Sequence, residues 1–346
     1  MTSFVGLGPM SGTDPRAAAE IIIGECLDGH VTLPTLPGRG LGADLVGRTA
    51  VLMADLNVDR GARSWKIADR AGRLQSRARD FLARDIDACE ELWETAPQLV
   101  RLVAAGPWTM AASVETAGGK LIATDSGAVS YFAESLAAGL IAQAADVRRR
   151  FGCAVEVLLV EPMLSAVASG TVHAPSMMLG LNGYLPAVGS REIAEEYRRL
   201  TSELLNDGIE TAIAVEKIEG LELSAIADSG VTGLWIPHTE LSTNQNLDFV
   251  AAAVDKRIEL QLGIVPVHVA ERDEFTGAAI GSSPRGVAEQ AARLWEELGY
   301  SHQNRASKLS IAPVSGFEHS DVDETIAQLR AGREAAELMR RAAGDL

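Results

Sequence analysis

A chain of 346 residues with 47% apolar and 23% charged side chains has the mass and composition of a soluble globular protein with a full core. That excludes disordered, collagen-like and fibrous classes. Its 47 acidic residues outnumber 31 basic ones, for a formal charge of −16, and a surface that negative repels phosphate backbones and anionic lipids. Nucleic acids and membrane surfaces are therefore not expected partners; a small molecule is.

The opening residues, Met1-Thr2-Ser3-Phe4-Val5-Gly6, lack the basic and apolar regions of a signal peptide. No apolar run reaches the roughly 18 residues that a membrane-spanning helix needs. Cys26, Cys89 and Cys153 are few, odd in number and without zinc-ribbon spacing, so a reducing cytoplasm is the expected compartment.

Residues 3–7 form a first strand-like run. Gly12-Thr13-Asp14-Pro15-Arg16 begins a helix, with Thr13 or Asp14 as cap and Pro15 near the first turn. That helix start is also a candidate anion site. The segment LPTLPGRGLG, residues 33–42, is a loop within an expected loop–helix insertion over about residues 27–70. Leu74, Phe81, Leu82, Cys89 and Leu92 mark a helix between Ala71 and Glu94. A helix after Asp125-Ser126 puts Val129, Phe132, Leu136, Leu140, Ala144 and Val147 on one face. Another starts at Ser283-Pro284, carries Val287, Ala291, Leu294, Trp295 and Leu298, and closes at Gly299.

Further strand-like runs cover residues 99–104, 154–160, 210–215, 232–236, 260–267 and 308–312. Strands alternating with helices predict a parallel sheet with right-handed crossovers. An eighth strand, expected within residues 170–188, would close a (β/α)8 TIM barrel spanning residues 1–346 as one domain; a doubly wound open sheet is the alternative. Gly6-Leu7-Gly8-Pro9-Met10 is no dinucleotide loop, because Pro9 stands where such a loop must offer an N–H.

A barrel keeps its chemistry on the loops after the strand C-termini. Glu161, after the run 154–160, is either a functional carboxylate or a structural acceptor. Lys217 pairs with Glu161 across the mouth or with Glu219 at the surface. His238, His268 and His319 follow three later strands and would suit a transition metal; loop polarity alone also explains them. Trp108 stacks on a flat ligand ring or lies in the core. Met177 and Met178 read as core.

These pieces resemble the C-terminal catalytic barrel of the cobalamin-independent methionine synthases, in the short actinobacterial-type single-domain form. The matching stretches are Gly12-Thr13-Asp14-Pro15-Arg16, Leu36-Pro37-Gly38-Arg39-Gly40, Gly42-Ala43-Asp44-Leu45-Val46-Gly47-Arg48-Thr49 and Gly106-Pro107-Trp108-Thr109. Glu161-Pro162, Asp228-Ser229-Gly230-Val231-Thr232, His268 and Ile311-Ala312-Pro313 complete them. The resemblance implies an α/β barrel of the methionine synthase and uroporphyrinogen decarboxylase type. It also implies methyl transfer from a methylated folate to a thiol held on zinc by one histidine, two cysteines and a glutamate.

The ligand positions carry Val215, Lys217, Pro237 and Ser315 in this sequence, with His238 beside the third. Val160 replaces the family's substrate-binding aspartate, and Pro9 replaces its serine. His268 matches the family's proton-donor histidine. The expected protein is thus a divergent methyl- or one-carbon-transfer barrel for a small thiol or amino-acid acceptor, without the usual zinc site. In it His268 exchanges a proton, Glu161 orients the acceptor and Lys217 supplies positive charge. Trp108, Thr13, Asp14 and Ser315 contact substrate, and His238, His268 and His319 form any relocated metal site. The alternatives are a non-catalytic ligand- or partner-binding relative, or a lyase or decarboxylase on the same scaffold.

Overall fold

A computed structural model of the chain describes residues 2–25, 29–61, 65–93, 97–174, 183–301 and 308–344. Seven parallel strands form its main sheet, paired in chain order. They are β1 (His30–Thr32), β2 (Leu99–Ala105), β3 (Ala154–Val160), β4 (Glu210–Ala214), β5 (Gly233–Pro237), β6 (Glu259–Val265) and β7 (Leu309–Pro313). Helices lie between most successive strands, as β–α alternation requires.

The sheet curls, and its two edge strands approach one common segment, residues 3–10. Ile311 donates to the Ser3 carbonyl at 2.9 Å and accepts from the Val5 N–H at 2.9 Å; on the other side Thr35 donates to the Gly8 carbonyl at 2.8 Å and accepts from Met10. The strand expected at residues 3–7 is therefore realised as isolated parallel bridges, Phe4 to Ile311 and Pro9 to Thr35. Pro9 has no N–H, and Gly8 sits at φ 99°, so a continuous ladder cannot form there.

Two expectations change. One strand of the main sheet comes from residues 30–32, inside the stretch expected as an insertion, and the described residues within 170–188, where an eighth strand was expected, add none to that sheet. Three residues followed by Leu33-Pro34 are too short to show periodicity. The rest of the early stretch supplies a helix (Leu45–Ala50) and two strands, Val58–Arg60 and Trp65–Ile67, which pair with Val114–Glu115 in a small second sheet. Within 170–188 the described residues show one bridge, His173 to Tyr184; Met177 and Met178, like Cys26, lie outside the described residues.

Both faces of the main sheet are buried, so its strands read as continuous apolar runs. Val103, Leu158, Ala212, Ala214, Trp235 and Ala312 point inward with Val5 and Leu7. Their sequence neighbours Leu102, Leu159, Ile213, Leu234, Ile236 and Ile311 point outward against the helices. At the N-terminal end of the strands Arg101 plugs the interior, giving Nε to Glu156 at 2.6 Å and Nη1 to Gln261 at 3.1 Å.

The longest helix, Ser126–Phe151, forms as its pattern predicts. Asp125 caps it by accepting from the Ala128 N–H, and Gly152 ends it in the left-handed region. All six residues of its predicted stripe are buried; each large one contributes at most about 2–3 kcal/mol. The helix beginning at Pro284 likewise takes its cap from Ser283. In the helix Arg73–Leu92 the fully buried face carries Gln75, Ala78, Asp85, Ile86 and Cys89, and Leu74, Leu82 and Leu92 flank it.

Gly139 lets the long helix touch the backbone at Leu52: a Cβ there would stand 1.8 Å from the Leu52 carbonyl oxygen. Gly139→Ala is therefore expected to destabilise the fold by about 1–3 kcal/mol despite alanine's better helix propensity. A lower urea midpoint would show it; an unchanged or higher midpoint would refute the close approach.

Candidate functional site

A cavity of about 580 Å³ opens at the C-terminal ends of the strands, where a parallel barrel-type sheet places its ligands. Its interior walls are apolar: Leu7, Val103, Val160, Ala214, Trp235 and Pro237. Trp235 is held by its indole N–H, which donates to the Pro313 carbonyl at 3.2 Å. Gly263 faces that ring, and a Cβ there would lie 2.9 Å from it, so a side chain would push the indole aside.

The polar groups on the cavity are Thr35, Arg48, Glu216, Thr239, Ser315 and Glu318. Arg48 comes from the helix Leu45–Ala50. Asp44 caps that helix through the Gly47 N–H at 2.8 Å, while the same carboxylate accepts from the Trp65 indole at 3.0 Å. Arg48 gives Nη1 to Asp85 at 2.9 Å, and Arg39 reaches both Asp85 oxygens through Nη2 at 2.6 and 2.7 Å. Burial holds the Arg48 guanidinium below its ordinary range, against the opposing pull of Asp85. Burial also pushes the neighbouring Cys89 thiol up, so it stays neutral. Glu318 has a buried Oε2 with no hydrogen-bond partner among the described residues.

The residues predicted for catalysis lie elsewhere. Glu161 is 1% exposed and faces the helices. Its Oε1 accepts from the Trp108 N–H at 3.1 Å and the Tyr197 hydroxyl at 2.7 Å. Its Oε2 accepts from the Thr109 N–H at 2.7 Å and the Thr109 hydroxyl. Burial pushes its carboxyl up to about 7, with these hydrogen bonds opposing. The arrangement is that of the structural acceptor weighed above. Lys217 is exposed, and among the described residues it pairs with neither Glu161 nor Glu219.

His268 is exposed, with Nδ1 at 3.3 Å from Glu324 Oε2. His238 directs Nδ1 to the Gly263 carbonyl at 3.1 Å, and His319 is exposed. Among the described residues no three His, Cys, Asp or Glu side chains are placed to hold a metal ion, so these histidines are not gathered. Val215 is a buried alkyl group and Lys217 a cation, and neither side chain as it stands can ligate zinc. Trp108 is buried in the core and donates its indole N–H to the Ile193 carbonyl at 3.4 Å. Thr13 and Asp14 are exposed at a helix start, where Asp14 accepts from the Arg16 N–H. Of the predicted set, Ser315 lines the cavity.

Strand parity separates these groups. On β3, Glu156, Leu158, Val160 and Pro162 share the inner face, so Glu161 is turned outward. On β4, Ala212 and Ala214 point inward and Glu216 continues their row, one residue from Lys217. On β5, Trp235 and Pro237 are inner, and His238 steps off that row. Glu216 and Trp235 were thus available to a count of alternate positions. Arg48 and Glu318 come from loops and a short helix that carry no such signal.

No family model matches this sequence, and no curated protein does. Solved structures do match its fold. A B12-independent methionine synthase from Shewanella sp. W3-18-1, in complex with selenomethionine, is 12% identical with a TM-score of 0.51, over 82% of this chain and 72% of that one. A methyltransferase from Methanosarcina mazei is 14% identical with a TM-score of 0.53, over 93% of this chain and 86% of that one. These likenesses show the fold alone: an α/β fold with a curled, parallel seven-strand sheet whose structural neighbours are of TIM-barrel type. No described helix is long and apolar enough to cross a membrane.

Proposed function

We propose that this chain is a methyl- or one-carbon-transfer barrel that takes a small thiol or amino-acid acceptor into its mouth cavity, with residues 3–10 standing as the eighth stave. The observation that carries the reading is the 580 Å³ cavity at the strand C-termini of a fold shared with a methionine synthase and a methyltransferase. Trp235, rather than Trp108, is the indole that a flat donor ring such as a methylated folate would meet.

In transfer to a thiol, sulfur loses its proton and forms a bond to the methyl carbon. The bond from that carbon to the donor nitrogen breaks, and the nitrogen regains a proton. The cavity groups able to pass that proton are Glu216 and Glu318. No described His or Cys of the cavity lining can hold the thiolate, so slow turnover is the expected behaviour without a bound ion.

A second reading, ligand binding without turnover, is favoured by one observation: no described His, Lys or Cys lines the cavity. Single-turnover transfer from methylated folate to homocysteine, run with and without zinc, separates the two. Methyl transfer is expected to fall by about 10²–10⁴ in whichever of Glu216→Gln and Glu318→Gln removes the proton carrier. Transfer unaffected by either variant would refute the carboxylate assignment. Acceptor binding without product would select the second reading.

A further inference from the structure

One wall of the mouth cavity carries a buried cluster with more cations than carboxylates. Asp85 lies between Arg39 and Arg48, and none of the three side chains is more than 8% exposed. Two guanidinium groups share one carboxylate, which leaves one positive charge in surplus. Asp44, the nearest carboxylate in sequence, is committed to the Gly42 and Gly47 N–H groups and the Trp65 indole.

The two arginines are not equivalent. Arg39 stacks over Phe81 at 4.5 Å and chelates Asp85. Arg48 gives Asp85 only Nη1; its Nε, like that of Arg39, is buried without a partner, and its Nη2 makes no hydrogen bond among the described residues. Of the three, Arg48 is the one that lines the cavity. A buried cation with unused donors is costly, and a ligand oxyanion seated against it would supply the missing charge and acceptors.

We infer that Arg48 is the anion-holding residue of the mouth cavity, taking the carboxylate of a small organic acid with an apolar body, while Arg39 and Asp85 position its guanidinium. This rests on the reading of the cavity as a ligand site. One surplus charge balances a monoanion. A phosphate dianion would overshoot it and would meet stronger repulsion than a monoanion from Glu216 and Glu318 on the same cavity. The apolar walls formed by Leu7, Val103, Val160 and Trp235 suit the rest of the acid.

The test is calorimetric titration of the full chain with 3-phenylpropionate, its neutral amide and inorganic phosphate. The acid is expected to bind about 10- to 100-fold more tightly than the amide, and phosphate no better than the amide. Arg48→Met is expected to abolish the preference for the acid, leave amide binding in place, and keep or raise the urea midpoint without ligand. Arg48→Lys, which keeps the charge but not the fork, is expected to retain part of the preference; it decides the matter if the methionine variant does not fold.

Equal binding of acid and amide by the wild type, or an acid preference that survives Arg48→Met, would overturn the role of Arg48 and leave the ligand site standing. Phosphate binding more tightly than the acid would overturn the choice of a carboxylate. No binding of either organic probe would count against the ligand site itself, and this inference would fall with it.

Discussion

Glu161→Ala is expected to destabilise the protein by about 4 kcal/mol or more, read as a fall in urea midpoint or a loss of cooperative unfolding. The variant strands the Trp108 and Thr109 N–H groups and the Thr109 and Tyr197 hydroxyls in a sealed site. Each buried donor left without an acceptor costs about 1–3 kcal/mol, and the lost volume adds a cavity. Gly106 packs so closely on the carboxylate that its own Cβ would lie 2.1 Å from Oε1, so the site offers little slack for repair. A small loss of stability, with methyl transfer abolished, would instead make Glu161 a catalytic group.

The same residue sets a pH dependence whose sign follows from linkage. Burial raises the native carboxyl from 4.5 to about 7, so the folded chain holds this proton more tightly than the unfolded chain. Its contribution is fully favourable below about pH 4.5 and is lost as pH rises to about 7, a change on the order of 3 kcal/mol. Glu161→Gln cannot titrate. The difference in unfolding free energy between wild type and Glu161→Gln should therefore change across that window, with the wild type losing ground as pH rises. A constant difference from pH 4.5 to 7.5 would rule out the raised native value.

Asp85→Ala is expected to cost about 3–5 kcal/mol, because it leaves two buried guanidinium groups without their shared carboxylate. The double variant Asp85→Ala with Arg48→Met removes one of those charges and should recover part of the loss. A coupling of about 1 kcal/mol or more between the two positions is expected from their direct contact. Strictly additive effects in urea unfolding would show that the pair does not interact and would remove the surplus charge from the cavity wall.

The predicted site residues and the cavity lining diverge by single residues in several places. Glu161 and Lys217 were chosen because charged residues follow apolar strands, which is true of both mouth-facing and helix-facing positions. The neighbours Val160 and Glu216 face the cavity instead. A strand turns each successive side chain to the opposite side, so a one-residue step decides between the mouth and the helix layer. His238, His268 and His319 stand apart for a different reason. Each follows a strand, but position in the chain says nothing about direction, and their rings turn to Gly263, to Glu324 and to solvent.

Local chemistry was enough to determine the α/β alternation, six strands of the main sheet to within two residues at either end, the helix start at Asp125-Ser126 and the cap at Ser283. Burial runs, turn residues and cap side chains act over a few positions, and a linear reading contains them. The three-residue strand β1 and the bridging of residues 3–10 to both sheet edges needed the tertiary structure, since their hydrogen-bond partners are distant in sequence. So did the Arg39–Asp85–Arg48 cluster, whose members are separated by up to 46 positions. Electrostatic balance inside a protein depends on distance in space and on burial, and neither is written in the order of the residues.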